Sequence, residues 1–133
     1  SPYKTQDFLT GSVVTVTGDE KAMTVYKLMI DRSLNHIPVI EDDKVVGILS
    51  DRDVKFCSKN NKLSNDILVS EIMTKNPYCV KADTPLHEIV LTMSQRKINS
   101  AVIVGDSQDV IGIFTSSDAL YILAMMLPQL SKP

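Results

Sequence analysis

The sequence predicts an α+β fold made of two copies of one β-α-β-β-α unit, related by pseudo-twofold symmetry. The first observation is an internal repeat, in which residues 16–42 match residues 80–106 at a constant shift of 64 positions. After one inserted residue the shift is 65, so that Gly47 falls on Gly112 and Asp53 on Asp118. Because neither copy can bury its apolar face alone, we expect the two copies to pack together. The matched pairs include Val16/Val80, Asp19/Asp83, Val25/Ile89, Met29/Met93, Asn35/Asn99 and Asp42/Asp106.

The second observation is that each copy has the same order of patterns. In the first copy, the β-branched run at 13–16 predicts a strand, and apolar residues at helical spacing follow over 22–29. The apolar runs at 37–40 and 45–49 flank a polar turn and are typical of a hairpin. A final helix is expected from Ser50 to about Ser58.

The second copy repeats this order. A strand is predicted at 78–80 and a helix over 86–93, with Pro85 in its first turn, where a missing N–H costs nothing. The runs at 101–104 and 110–114 form the hairpin, and the last helix runs from Asp118 onward. We expect the two sheets to face each other across the apolar helices. The predicted organisation is a first repeat at 1–58, a linker at 59–71 and a second repeat at 72–133.

Composition excludes several classes of function. The 133 residues carry a formal net charge of −2 and include no Trp, so a basic, aromatic nucleic-acid surface is not expected. The two His lie far apart, no nucleophile motif is present, and Cys57 and Cys79 lack metal-site spacing, so no enzyme activity, metal or catalytic cofactor is expected. The apolar run at 119–127 is too short for a membrane span. A cytoplasmic protein, processed or excised from a longer chain because it begins at Ser1, is the expectation.

The third observation is a polar motif, Gly-x-x-Ser/Thr-x-x-Asp, that stands at the same place in both copies. In the first copy it links Gly47, Ser50 and Asp53. Ser/Thr-x-x-Asp at the start of a helix also has the form of a capping box, which stabilises the helix and binds nothing. The motif alone therefore leaves two interpretations open, a helix cap and a ligand site, and the same residues could serve both.

The repeat and its motifs resemble a CBS domain pair, or Bateman module, a family named after cystathionine β-synthase. The resemblance covers roughly Leu9 to Leu127, and it depends on the run 72–77 before the second copy, the run 35–40 in the first copy, and both Gly-to-Asp motifs. Modules of this kind bind adenine nucleotides or S-adenosylmethionine and regulate a partner. The resemblance therefore implies a regulatory module with an adenosyl ligand, and no catalytic role.

The motif supplies groups that can bind the parts of an adenosine ligand. A carboxylate can accept both ribose hydroxyls, which is the role expected of Asp53 and Asp118. A helix N-terminus and nearby hydroxyls favour a phosphate, and Arg52 adds a cation suited to phosphate geometry. The resemblance implies two clefts. One holds Asp53, Ser50, Arg52, Asn35 and His36 with Met73 and Tyr78, and the other holds Asp118, Thr115, Ser117, Asn99 and Ser100 with Leu9 and Val14.

The two copies differ at the residues that would meet a phosphate. Arg52 corresponds to Ser117, and His36 to Ser100. We therefore expect the clefts to prefer different ligands, or only one to be occupied, and the first to suit a phosphorylated ligand.

Two functions from different classes remain open. The first is a regulatory sensor that binds AMP, ADP, ATP or S-adenosylmethionine and modulates an unknown partner protein or domain. The alternative is a structural or oligomerisation module whose Asp motifs are only helix caps. In either case the last helix has no charged residue between Asp118 and Lys132, and its apolar surface predicts a homodimer.

Overall fold

The structure is a computed structural model that describes residues 3–9, 13–59 and 66–130. It has the predicted α+β fold, with the order strand, helix, strand, strand, helix in each copy. The elements are a 3-10 helix (Thr5–Phe8), β1 (Val16–Thr17), α1 (Ala22–Asp31), β2 (His36–Glu41), β3 (Lys44–Ser50), α2 (Asp51–Lys59), α3 (Val69–Ile72), β4 (Thr74–Lys75), β5 (Cys79–Val80), α4 (Leu86–Arg96), β6 (Ser100–Val104), β7 (Val110–Thr115) and α5 (Ser116–Leu130).

Each repeat builds a sheet with the same topology. In the first, β1 runs parallel to β2, and β2 pairs antiparallel with β3, with His36 opposite Ser50. In the second, β5 runs parallel to β6, which pairs antiparallel with β7, with Ser100 opposite Thr115. The first strand, predicted at 13–16, is both shorter and displaced toward the C-terminus, because only Val16 and Thr17 pair with β2.

The segment in front of each repeat pairs with the sheet of the other repeat. Thr74 and Lys75, which precede the second repeat, pair antiparallel with Ile48 and Gly47 of β3. Leu9, which precedes the first repeat, forms an antiparallel bridge with Gly112 of β7. The two repeats therefore exchange edge segments reciprocally, and this exchange ties them into one body.

The glycine of the Gly-to-Asp motif is explained by this exchange. A Cβ added at Gly112 would lie 2.5 Å from the Phe8 carbonyl oxygen, and one added at Gly47 would lie 2.5 Å from Met73 Sδ and 3.0 Å from the Thr74 carbonyl oxygen. Both distances are shorter than ordinary contacts, so a side chain at either position would push the crossing segment away.

The expectation that the sheets face each other across the helices is wrong. Ile48 of β3 packs directly with Val102 and Val104 of β6 in an apolar cluster. Their neighbours in sequence, such as Leu49 and Ile103, point to the opposite faces and form the cores with the helices. Since side chains alternate along a strand, the sheets meet face to face and the helices cover the outer faces. The pattern of apolar residues along a strand cannot tell which face meets the partner repeat, because both faces are apolar.

The second repeat is connected through a segment that packs on the first. Val69 is fully buried in the core of the first repeat. Its N–H donates to the Glu20 carbonyl, and the Ser70 N–H donates to the Gly18 carbonyl. Within the described ranges, no helix is long and apolar enough to cross a membrane.

Candidate functional site

A cleft of about 470 Å³ lies between the two repeats, next to the direct contact of their sheets. Its size is within the range of small-molecule sites. The first repeat contributes His36, Ile48, Ser50, Arg52, Asp53 and Phe56; the other wall is made of Thr74, Asn76, Pro77, Tyr78, Arg96, Lys97, Ile98, Asn99 and Ser100. We call this the Asp53 cleft.

Asp53 is held at the start of α2 by a reciprocal capping box. The Ser50 N–H donates to Asp53 Oδ2 at 2.9 Å, and the Asp53 N–H donates to Ser50 Oγ at 3.2 Å. The capping interpretation is therefore realised in the geometry. Among the described residues, however, Asp53 Oδ1 accepts no hydrogen bond, so the cap uses one carboxylate oxygen and leaves the other beside the cleft.

Asp118 repeats this arrangement with a difference. The Thr115 N–H donates to Asp118 Oδ2 at 2.8 Å, and the Thr115 hydroxyl lies 3.2 Å from the same oxygen. Both contacts of Thr115 thus go to one oxygen of Asp118, whereas Ser50 uses its hydroxyl to accept an amide of the helix. The two carboxylates are held alike, but the two hydroxyls play different parts.

The N-terminus of α2 is a poorer phosphate site than the sequence suggested. The Asp51 N–H donates to the Asn35 carbonyl at 3.0 Å, and the Asp53 N–H is taken by Ser50. Two of the first amides of the helix thus already have protein acceptors. Any preference of this cleft for an anion must come mainly from its side chains.

Three cationic side chains line the Asp53 cleft. Arg52 comes from the first repeat, and Arg96 and Lys97 come from the end of α4 in the second. The Arg96 guanidinium carbon lies 5.1 Å from the centre of the Tyr78 ring, a cation–π contact that orients the group at the cleft. Arg96 and Lys97 were not among the predicted site residues. A signal was present, because the 64-position shift that matches Asn35 with Asn99 also matches Arg32 with Arg96.

His36 lies half-buried in the cleft, on β2 opposite Ser50. Burial lowers the pKa of the imidazole below its ordinary value of 6.5; the charges of Asp51 and Asp53 oppose this shift, and Arg52 adds to it. In the described part of the chain, the buried Nδ1 has no hydrogen-bond partner. The neutral imidazole therefore has hydrogen-bonding capacity that the protein itself does not use.

Several predicted residues lie elsewhere than expected. Asn99 and Ser100, which were grouped with Thr115 and Asp118, line the Asp53 cleft instead. The Asn99 side-chain oxygen also accepts a hydrogen bond from the Ser116 hydroxyl at 3.0 Å. The reason is the pseudo-twofold packing, which brings the start of β6 against the other repeat.

Asn35 and Met73 do not line the Asp53 cleft. Asn35 lies on the outer side, in a depression with Asp51 and Lys55. Met73 packs against the core of the first repeat and against Gly47.

The second predicted set is less complete. Ser117 is exposed, Val14 packs against the core of the first repeat, and Leu9 bridges to Gly112. At the 64-position shift, Thr74 and Asn76 of the Asp53 cleft correspond to positions 10 and 12, which lie outside the described residues.

The family follows from the sequence match. The CBS domain family matches residues 6–58 and 69–125, which is most of the chain. The chain belongs to the CBS domain family. One matched segment falls on each repeat, so the predicted resemblance is confirmed.

Relatives of this CBS pair include parts of larger enzymes. An inosine-5′-monophosphate dehydrogenase from Korarchaeum cryptofilum is 30% identical over 118 residues, which are 89% of this chain and 24% of the relative. An L-aspartate semialdehyde sulfurtransferase from Methanocaldococcus jannaschii is 30% identical over 114 residues, 85% of this chain and 22% of the relative. The chain thus spans about a quarter of the length of these curated relatives.

A solved structure shares the whole fold. The CBS domain pair of protein MJ0100, in complex with 5′-methylthioadenosine and S-adenosyl-L-methionine, has a TM-score of 0.83 and 27% sequence identity. The alignment covers 92% of this chain and 97% of the other. A CBS pair of this architecture therefore binds adenosine derivatives.

Proposed function

We propose that this CBS pair is a regulatory module that binds an adenosine-containing ligand, AMP, ADP, ATP or S-adenosylmethionine, in the Asp53 cleft. The observation that carries the proposal is the Asp53 carboxylate. One of its oxygens is used by the cap, and the other, Oδ1, accepts no hydrogen bond from any described residue and lies beside a cleft walled by both repeats. The adenosine derivatives bound by the MJ0100 pair support the ligand class.

In this proposal each part of the ligand has a partner. Asp53 Oδ1 accepts hydrogen bonds from the ribose hydroxyls, while Oδ2 keeps the Ser50 amide. Ile48 and Tyr78 supply the apolar slot for adenine, and Arg52 and His36 face the substituent at the 5′ position. Asp118, with Thr115 and Ser117, is the equivalent candidate in the second repeat.

Binding would regulate a partner by changing how the two repeats sit against each other. The cleft has walls from both repeats, and a ligand that fits one arrangement better shifts the population toward it. The partner is an unidentified protein or a further domain, since the curated relatives are longer enzymes of which this region is a quarter. We assign the chain a regulatory role and no catalytic one.

The test replaces Asp53 and Asp118 separately by alanine. If Asp53 holds the ribose, Asp53→Ala removes a charged acceptor worth about 1.5–3 kcal/mol, so affinity for the bound nucleotide falls about tenfold to a hundredfold. Asp118→Ala removes the same kind of cap and tests the equivalent candidate in the second repeat. Titration calorimetry with AMP, ATP and S-adenosylmethionine measures affinity, and thermal melting measures the stability that the helix cap contributes. If both variants melt earlier yet bind like the parent, the motif is only a cap.

A second candidate function is a structural module that forms homodimers. It is favoured by the capping bonds and by α5, on which Leu120, Tyr121 and Leu130 are each at least 60% exposed. Exposed apolar surface of this extent usually marks a contact. We propose that α4 and α5 pair with the same helices of a second copy, an assembly that is compatible with ligand binding.

A further inference from the structure

We infer that the Asp53 cleft selects adenosine phosphates and discriminates against the cationic S-adenosylmethionine. The inference rests on the proposed function, and it names the ligand class that the function leaves open. Its basis is the distribution of charge around the cleft, which neither the fold nor the neighbouring structure determines.

The cleft is cationic in a chain that is acidic overall. Among the described lining residues, Arg52, Arg96 and Lys97 stand beside one carboxylate, that of Asp53, whereas the whole chain has a formal net charge of −2. A local excess of one sign in a cleft concentrates ligands of the opposite sign.

No carboxylate in the described part of the chain forms an ion pair with these cations. Within the described residues, the ion pairs join Lys21 to Asp66, Lys55 to Asp51 and Lys81 to Asp106. Arg52, Arg96 and Lys97 take part in none of them. Arg96 is instead held over the Tyr78 ring, which fixes its position without cancelling its charge.

The cations stand on both walls of the cleft. Arg52 belongs to α2 of the first repeat, and Arg96 and Lys97 to the end of α4 of the second. With the ribose at Asp53, a phosphate chain would be drawn between the two repeats, where it screens cations that otherwise repel one another. The sulfonium and ammonium groups of S-adenosylmethionine would add charge of the wrong sign to the same place.

The experiment uses four probes with the same adenosine and decreasing negative charge: ATP, AMP, the neutral 5′-methylthioadenosine, and S-adenosylmethionine. Titration calorimetry on the whole chain is expected to give affinities in that order, with ATP at least about tenfold tighter than S-adenosylmethionine, a difference of about 1.4 kcal/mol. Because the cations are exposed, raising the salt concentration should weaken the binding of ATP and leave the binding of 5′-methylthioadenosine nearly unchanged.

The variants assign the preference to named residues. Arg96→Ala and Lys97→Ala should each lower the affinity for ATP severalfold and leave the affinity for 5′-methylthioadenosine unchanged. Arg32→Ala is the matched control, because Arg32 has the equivalent position in the first repeat and does not line the Asp53 cleft. Equal effects of Arg32→Ala and Arg96→Ala on ATP would overturn the inference.

The two proposals fail in different ways. If 5′-methylthioadenosine or S-adenosylmethionine binds as tightly as ATP, the charge selection is wrong while the adenosyl module stands. If none of the four probes binds at millimolar concentration, the proposed function itself is wrong. Circular dichroism of each variant shows that any loss does not come from unfolding.

Discussion

The outer faces of the two repeats differ sharply, although the same frame builds both. Between α1 and α2, the depression at Tyr26 and Asn35 is also lined by Lys55 and Asp51, which form an ion pair at 3.2 Å. In the repeat register these two charged residues correspond to Leu120 and Ser116, which line an apolar depression of about 530 Å³ between α4 and α5. The duplication has kept cores and caps and changed the surfaces. Core positions are constrained by packing, whereas a surface can acquire a contact in one copy alone.

The largest effect is expected when a surface residue of the second repeat is replaced by its counterpart from the first repeat. Leu120 is 66% exposed, and burying a leucine stabilises by about 1.5–3 kcal/mol. A twofold dimer contains this residue twice, so Leu120→Lys should weaken dimerisation by more than about a hundredfold. Sedimentation velocity over a range of concentrations measures the change.

The reciprocal change provides the control. Lys55→Leu alters the equivalent position in the first repeat and should leave the dimer constant unchanged. If Lys55→Leu disturbs the dimer more than Leu120→Lys does, the interface lies on the first repeat. If neither variant weakens dimerisation, the dimer interface lies outside these helices.

A second comparison concerns the two motif glycines. A Cβ at Gly112 meets a backbone oxygen of Phe8, while one at Gly47 first meets the flexible side chain of Met73. Overpacking of this kind costs about 1–3 kcal/mol. We expect Gly112→Ala to lower the free energy of unfolding by an amount near the top of that range, and Gly47→Ala by less.

Urea denaturation of the two glycine variants tests this order. Gly105→Ala serves as a control, because the nearest atom to its added Cβ is a side-chain oxygen of Asp109 in a turn. Equal losses at Gly47 and Gly112 would contradict the idea that the crossing backbone sets the cost.

Sequence reasoning reached the fold and part of the lining of the Asp53 cleft for identifiable reasons. The repeat predicted both frames because matched positions such as Val25 and Ile89 have the period of a buried helix face. The exchanged segments escaped prediction, since a two-residue strand such as Thr74–Lys75 has no periodic signature and is defined only by its tertiary partner. Arg96 escaped for another reason: an exposed arginine at a helix end resembles an ordinary solvated residue until the opposite wall is known.

The two helix caps predict a smaller difference. Ser50 accepts the Asp53 amide through its hydroxyl, so Ser50→Ala leaves that amide without its cap at a cost of about 1 kcal/mol. Thr115→Ala removes a hydroxyl that contacts Asp118 Oδ2. That oxygen still accepts the hydrogen bond from the backbone N–H of residue 115. Thermal melting should therefore show a larger loss for Ser50→Ala, and a larger loss for Thr115→Ala would contradict this account of the caps.

The smallest effect is expected from His36, whose counterpart Ser100 does not titrate. Burial holds the pKa of His36 below 6.5 in the folded protein, so the unfolded chain binds a proton more readily. The contribution of neutral His36 to the free energy of unfolding is therefore complete above pH 6.5. It is lost as the pH falls through the lower pKa of the folded state. His36→Ser, which copies the second repeat, should flatten this part of the stability profile, as measured by urea denaturation between pH 5 and 8, the range in which histidine titrates. His87→Ser, which removes an exposed histidine of α4, is the control for the loss of an imidazole. A bound phosphate would stabilise the imidazolium, so saturation with ATP should also reduce the loss at low pH. If the profile of the parent protein matches that of His36→Ser with and without ATP, His36 is not the titrating group in the cleft.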